Sequence, residues 1–156
     1  MTFFIVDELF ILDSVKADTK VTGITYYKWN NLAVSKTGYV FIDKIELKFN
    51  NIPSILFEIN DADDGISLKT HYNVANEIKE VESKFDSQIK ITQSVEDKSK
   101  LWKTAIANTL ISFEAEQEQN FHLNHSVLVN FGKEQRIIYF NPEKGMLVDI
   151  FENAVN

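Results

Sequence analysis

The feature that most restricts how this chain can fold is the alternation of apolar and charged side chains over residues 39–49. Apolar side chains occupy odd positions and charged ones lie between them: Phe41, Ile45, Leu47 and Phe49 against Lys44, Glu46 and Lys48. A period of two predicts a β-strand with one buried and one solvated face, because successive side chains of a strand point to opposite faces of the sheet. Residues 50–54 predict a turn, and residues 55–59 the partner strand of an antiparallel hairpin.

The same reasoning extends the sheet to two three-stranded meanders. The first covers residues 39–68, since the acidic turn at 61–65 leads into a third short strand at 66–68. The second covers residues 121–151, with predicted strands at 127–131, 136–140 and 146–151. Residues 3–12, 21–29 and 89–92 predict additional strands, because they are rich in apolar, β-branched and aromatic side chains.

The two meanders resemble each other in the spacing of their apolar side chains, which is the pattern of an internal duplication. A shift of 82 carries Ile45, Leu47, Phe49, Ile55 and Phe57 onto Val127, Val129, Phe131, Ile137 and Tyr139. A shift of 80 carries Gly65, Ile66 and Leu68 onto Gly145, Met146 and Val148. Any two amphipathic hairpins with similar turns match in part, so the pattern leaves duplication and coincidence open.

Two amphipathic helices are predicted to cover the sheet, near residues 74–86 and 95–118. Asn73 can cap the first helix at its N-terminus. The apolar positions of that helix follow a narrow seam: Val74, Ile78, Val81 and Phe85. The second helix carries a broader apolar face that includes Trp102. The sequence therefore predicts an α+β fold, an antiparallel sheet covered by helices, in a single globular domain over residues 1–156.

The charge and the cysteine count exclude several classes of function. With 16 basic and 23 acidic residues, the chain has a formal net charge of −7, and Arg136 is its only arginine. Nucleic acids require several cations on one face, and phosphates prefer guanidinium groups, so no nucleic-acid partner is predicted. An anionic membrane surface is disfavoured for the same reason. Because the chain has no cysteine, it has no disulfide, no thiolate metal site and no cysteine nucleophile.

The first residues do not predict a targeting segment. The short apolar run after Met1 has no basic leader and soon reaches Asp7 and Glu8, which differs from a signal peptide. No stretch approaches the roughly eighteen uninterrupted apolar residues of a membrane-spanning helix. We therefore expect a cytoplasmic protein.

Candidate metal and catalytic residues are few. His122 and His125 would point to opposite faces of a strand, so no metal site is predicted there. The turn at 61–65 does not match a calcium loop, because Ala62 and His71 would occupy ligand positions. The chain has no Gly-x-Ser-x-Gly elbow and no Gly-rich phosphate loop, and no cofactor is predicted. A non-enzymatic role is favoured, while catalysis is left open.

The remaining candidate site is an acidic surface. It comprises Asp61, Asp63 and Asp64 in a turn, Glu77, Glu80 and Glu82 on the solvated side of the first helix, and Tyr26 as an exposed aromatic. Acidic groups of this kind can steer a basic partner and accelerate its association. We therefore expect a small non-enzymatic binding protein, of the inhibitor or immunity type, for a basic protein. The alternative is a small-molecule or lipid-binding protein with an apolar pocket between sheet and helix, since the chain has 12 Phe.

Overall fold

The computed structural model describes residues 2–33 and 39–152. The helices in this part of the chain are α1 (Val6–Leu12), α2 (Val74–Lys84) and α3 (Lys103–Ile106). The strands are β1 (Val21–Asn31), β2 (Tyr39–Phe49), β3 (Ile55–Ile59), β4 (Ile66–Lys69), β5 (Ile89–Val95), β6 (Ser112–Glu114), β7 (Gln117–Glu118), β8 (Phe121–His122), β9 (Ser126–Asn130), β10 (Gln135–Asn141) and β11 (Gly145–Ile150). None of the described helices combines the length and the apolar character that crossing a bilayer requires.

Most strands belong to one curled, mainly antiparallel sheet whose branch point is β2. On one side β2 pairs with β1, and β1 pairs with the edge strand β5. On its other side β2 contacts β11 at Ile42 and pairs with β3 over residues 44–47. From there the sheet continues through β3 to β4, and through β11, β10 and β9 to β6. The β2–β11 contact is parallel, whereas the other pairings in the described sheet are antiparallel.

The main hydrophobic core lies inside the curl of the sheet. Its fully buried members include Ile45, Leu47, Phe57, Trp102, Leu110, Val127, Ile138 and Met146. A smaller cluster lies on the outer face of the sheet, where Val74 of α2 packs with Tyr27 of β1 and Leu56 of β3. Because α2 covers this outer face, β3 is buried on both sides. The face of β2 that the alternation predicts to be solvated is therefore covered along part of its length.

We call the strands within residues 39–68 and those within residues 121–151 the two strand sets. The shift of 82 between them does not hold for β10, whose pairing is displaced by one residue. In the sheet, Val127 pairs with Ile138, and Ile138 pairs with Val148. The expected match of Phe57 with Tyr139 is therefore wrong, because Ile138 occupies the position equivalent to Phe57. A slip of one residue turns every side chain of a strand to the opposite face. It explains why Arg136, on the same side as Ile138, is buried with only 2% of its surface exposed.

The strand expected over residues 3–12 is wrong, because residues 6–12 form α1. Glu8 accounts for the change: one carboxylate oxygen accepts the Ile5 backbone N–H at 3.0 Å, at the start of the helix. The other oxygen accepts the Leu68 N–H at 2.8 Å, so the same side chain attaches α1 to the edge of β4. The two acids that interrupt the apolar run therefore start a helix, where negative charge is favourable near the N-terminus.

The helix expected over residues 95–118 is also wrong. This stretch contains the single-turn α3, then β6 and β7. The backbone after α3 is bound by other parts of the chain: Leu110 N–H donates to Thr19 C=O and Ile111 N–H to Asn130 C=O, both at 2.8 Å. These long-range bonds replace the local bonds that a helix would make, although the apolar side chains still face the core.

Candidate functional site

The candidate site is a cleft of about 560 Å³ between α2 and the outer face of β2 and β3. Four of the acidic residues singled out in the sequence line it: Asp61 and Asp63 from the β3–β4 turn, and Glu77 and Glu80 from α2. These residues come from segments separated in the sequence, and the packing of α2 across the sheet brings them together. We call this space the charged cleft.

The floor of the charged cleft is a network of ion pairs. The Lys44 ammonium lies 2.9 Å from Glu58 Oε2 and 3.3 Å from Asp43 Oδ2. Lys69 binds the other oxygen of Glu58, and Glu77 lies 3.9 Å from Lys44 and 4.0 Å from Lys69. Two lysines thus share three carboxylates, in a region where Glu58 is only 7% exposed. Charges withdrawn from water in this way require partners, because an unpaired buried ion is strongly destabilising.

The local backbone explains why two adjacent side chains both reach this floor. In the β1–β2 ladder Tyr27 pairs with Lys44 and Lys28 pairs with Ile42, so Asp43 is an extra residue without a partner on β1. A bulge of this kind interrupts the alternation of faces and redirects a side chain. Asp43 and Lys44 therefore both line the charged cleft, although they are neighbours in the sequence.

Burial and neighbouring charges shift the pKa values of Asp43, Lys44 and Glu58 in opposite directions. Burial raises the pKa of the Asp43 carboxyl above its ordinary value, and Lys44 offsets this only in part. Burial alone would raise the pKa of Glu58, but the hydrogen bonds from Lys69 and Lys44 outweigh it and lower the pKa. Burial alone would lower the pKa of Lys44, but Asp43 and Glu58 together raise it. The network therefore stabilises the charged forms of Lys44 and Glu58.

The rim makes the charged cleft acidic as a whole. Its lining contains six carboxylates and three ammonium groups, which gives a formal charge of −3: Asp43, Glu58, Asp61, Asp63, Glu77 and Glu80 against Lys44, Lys69 and Lys84. Both lysines of the floor already bind carboxylates, whereas Asp61, Asp63 and Glu80 at the rim are exposed. The negative charge that remains accessible at the opening favours a cation.

One end of the charged cleft is apolar and aromatic. Trp29 stacks on Phe41 with ring centroids 5.8 Å apart and meets the edge of Phe85 at 5.9 Å. Ile78 and Val81 of α2 extend this wall. Phe85 keeps 41% of its surface exposed, so the wall is open to a ligand. The site can thus bind a cation that carries an apolar stem, as lysine and arginine side chains do.

Three other residues predicted for the acidic surface do not line the charged cleft. The expected exposure of Tyr26 is wrong: only 5% of its surface is exposed, and its hydroxyl accepts a hydrogen bond from the Trp102 indole. Asp64 is held within its own turn by Asn60, whose amide donates to Asp64 Oδ1 at 2.7 Å. Glu82 accepts the Ile91 backbone N–H at 3.2 Å and thereby caps the edge strand β5.

The lysines and Glu58 of the floor were not predicted as site residues. The alternation in residues 39–49 places Lys44 on a solvated face, yet only 16% of its side chain is exposed. A signal was present in the predicted hairpin, because Lys44 and Glu58 are direct cross-strand partners, and opposite charges in that position attract each other. What the hairpin could not indicate is that α2 covers the pair.

A second group of acidic and aromatic side chains lies under the first turns of α2. Tyr72 donates a hydrogen bond to Glu46 at 2.7 Å, and Tyr27 donates to the other oxygen of the same carboxylate at 3.4 Å. Burial and then the nearby Glu46 charge raise the pKa of Tyr27 to about 12. Burial likewise raises the pKa values of Tyr26 and Tyr72.

These tyrosines predict a loss of stability in alkali. A tyrosine whose pKa is higher in the folded than in the unfolded chain stabilises the fold below about pH 10, and that contribution is lost as the pH rises towards the folded pKa. We expect the free energy of unfolding to fall by about 1.4 kcal/mol per pH unit for each such buried tyrosine above pH 10. Urea denaturation between pH 9 and about 11.5 measures this slope. Tyr27→Phe should make the slope shallower, and an unchanged slope would contradict the assignment.

The histidines and the single arginine do not line the charged cleft. His125 lies 2.7 Å from Glu116 on the exposed surface. In the described residues no group of three or more His, Cys, Asp or Glu side chains is arranged to hold a metal ion.

Arg136 donates to the Leu101 and Gln135 carbonyls and lies 3.6 Å from Glu134, so it bridges the α3 region and β10. These contacts account for a structural role of the arginine.

Comparisons of this chain with protein-family models, with curated proteins and with solved structures find no match.

Proposed function

We propose that this protein is a small binding protein that recognises a basic protein through the charged cleft. The observation that carries the proposal is the convergence of Asp61, Asp63 and Glu80 on one opening beside an aromatic wall. Each rim carboxylate is exposed, so it can accept a new partner without breaking the ion pairs of the floor. A cytoplasmic inhibitor or immunity-type protein is the corresponding biological class.

The division of the charged cleft into an acidic and an apolar part favours a lysine or arginine side chain as the inserted group. The aliphatic stem of such a side chain can pack on Trp29 and Phe85, while its charged head reaches Asp61 and Asp63. A cation placed against an aromatic ring gains further attraction. Lys84, whose ammonium lies 5.7 Å from the Phe85 ring centroid, already makes such a contact at the rim.

The alternative of a lipid site between sheet and helix receives less support. The space in question is the charged cleft, and its floor is made of Lys44, Glu58 and Lys69 rather than of apolar side chains. An acyl chain placed there would lie against ionic groups and would remove them from water without offering hydrogen bonds. A basic polypeptide segment suits these surroundings better, and neither a cofactor nor a metal is part of the proposal.

The proposal predicts that binding depends on the rim and on salt. In a triple variant, Asp61→Asn, Asp63→Asn and Glu80→Gln, we expect association with the basic partner to slow by roughly tenfold at low ionic strength, because electrostatic steering is weakened. The partner is captured on the immobilised protein at low and at high salt, identified by mass spectrometry, and its association rate measured by surface plasmon resonance. The melting temperature should change little, since exposed charges contribute little to stability.

A matched control separates the charged cleft from overall charge. Glu118→Gln, Asp149→Asn and Glu152→Gln change the net charge by the same amount at exposed positions outside the charged cleft. This control should bind almost as the unmodified protein does. Equal weakening in both triple variants would show that only net charge matters, and capture of no specific basic protein at either salt would refute the proposed function.

We also propose that the strand sets at 39–68 and 121–151 arose by duplication of one three-stranded meander. The supporting observation is the matching cross-strand row, Ile45–Phe57–Leu68 in one set and Val127–Ile138–Val148 in the other. The three strands then correspond by shifts of 82, 81 and 80, so each turn differs by one residue. Superposing the two sets with these shifts should align the backbones better than any neighbouring register does, and a better fit at another register would contradict duplication.

A further inference from the structure

A second recess lies where β2 meets β11. In the described part of the chain β2 pairs with β11 only at Ile42, so β2 residues 39–41 are not paired to β11, although Phe41 lies close to Gly145. A groove of about 430 Å³ follows this gap. Lys28, the cross-strand partner of Ile42, lines this groove, and so does Phe41, which stacks on Trp29 at the apolar end of the charged cleft. The groove and the charged cleft are neighbours, but they have no lining residue in common.

The lining of this groove combines an apolar base with lysines. Its apolar residues are Val40, Phe41, Ile42, Met146 and Leu147, and half of the Val40 surface is exposed. Two ammonium groups, Lys28 and Lys144, border it together with one carboxylate, Glu143. Among the residues that the structure describes, neither lysine forms an ion pair. This contrasts with Lys44 and Lys69, which bind carboxylates in the charged cleft.

We infer that the groove between β2 and β11 binds a free single-chain anionic amphiphile, a fatty carboxylate, with its chain on the apolar base and its head group at Lys28 and Lys144. Charge complementarity supports this ligand: two lysines with no ion pair among the described residues, beside an apolar surface, match a negative head on an apolar chain. The size is in the range of small-molecule sites. An extended anionic membrane is a poor alternative, because the chain has a net charge of −7 and would be repelled as a whole.

The test is calorimetric titration of the full chain with decanoate below its micellar concentration, compared with decanol and decyltrimethylammonium, which carry a neutral and a cationic head. Binding of decanoate that is clearly tighter than binding of both other compounds is expected. Equal binding of the cationic compound, or no binding of decanoate, would overturn the inference.

Variants locate the binding. Lys28→Met with Lys144→Met should weaken decanoate binding by roughly five- to tenfold, as expected for two exposed ion pairs. Lys98→Met with Lys100→Met, an equal loss of charge elsewhere, should leave it unchanged. Val40→Asp adds a negative charge on the exposed side of the groove and should also weaken binding, which checks the location without removing a lysine. If neither groove variant changes the affinity, decanoate binds elsewhere and the inference is wrong. Thermal melts of each variant confirm that the fold is retained.

Discussion

Trp102→Ala is expected to lower the free energy of unfolding by about 3–5 kcal/mol, the range for removing a fully buried large aromatic side chain. Trp102 is completely buried, and its ring meets the edge of Phe131 with centroids 6.5 Å apart. The variant also removes the indole N–H that donates to the Tyr26 hydroxyl, which leaves a buried polar group without that partner. Urea denaturation followed by circular dichroism measures the change without relying on tryptophan fluorescence.

Phe10 provides a matched aromatic control for this variant. It is 70% exposed on α1, so Phe10→Ala should change the free energy of unfolding by less than about 1 kcal/mol. If Trp102→Ala were as mild as Phe10→Ala, Trp102 could not belong to the centre of the core. The position of residues 95–118 would then have to be revised.

Gly145→Ala is expected to destabilise the fold by about 2–5 kcal/mol, because two costs add at this position. Gly145 has φ +80°, a left-handed conformation that costs an L-residue about 1–2 kcal/mol. A Cβ atom there would also lie 2.9 Å from the Phe41 Cβ and 3.1 Å from the Ile42 carbonyl oxygen. The strain falls on the β2–β11 junction, so it should loosen the contact between the two strand sets.

Gly23→Ala is the control for this experiment. The three atoms nearest to a Cβ built on Gly23 all belong to the Lys48 side chain and lie 3.6 Å or more away, which is ordinary van der Waals contact. We expect Gly23→Ala to leave the stability unchanged or to raise it slightly, since alanine reduces the freedom of the unfolded chain. Denaturant midpoints of the two variants provide the comparison. A cost at Gly145 no larger than the cost at Gly23 would mean that β2 and β11 are not in close contact.

Much of the sheet could be predicted because its determinants are local. The alternation in residues 39–49 specifies a strand whatever surrounds it, and the turns that follow limit where the chain can reverse. The clusters at Asp61 and Glu77 were likewise evident as charge patterns, although only two members of each cluster line the charged cleft. Composition alone excluded cysteine chemistry, and it predicts no nucleic-acid partner.

Tertiary packing decided what these local rules leave open. The same apolar spacing can occur in a helix or in an irregular segment. After the short helix α3, the backbone at Leu110 and Ile111 bonds to Thr19 and Asn130 instead of continuing a helical ladder. Whether a charged strand face meets water depends on what covers it. Because α2 lies over β2, the Lys44 ammonium is largely removed from water. Its ion pairs with Glu58 and Asp43 stabilise it there, since a buried charge without partners is strongly destabilising. The sequence by itself therefore determined many of the strands and the charge pattern, and only the tertiary structure determined which charges are buried and which surround an accessible opening.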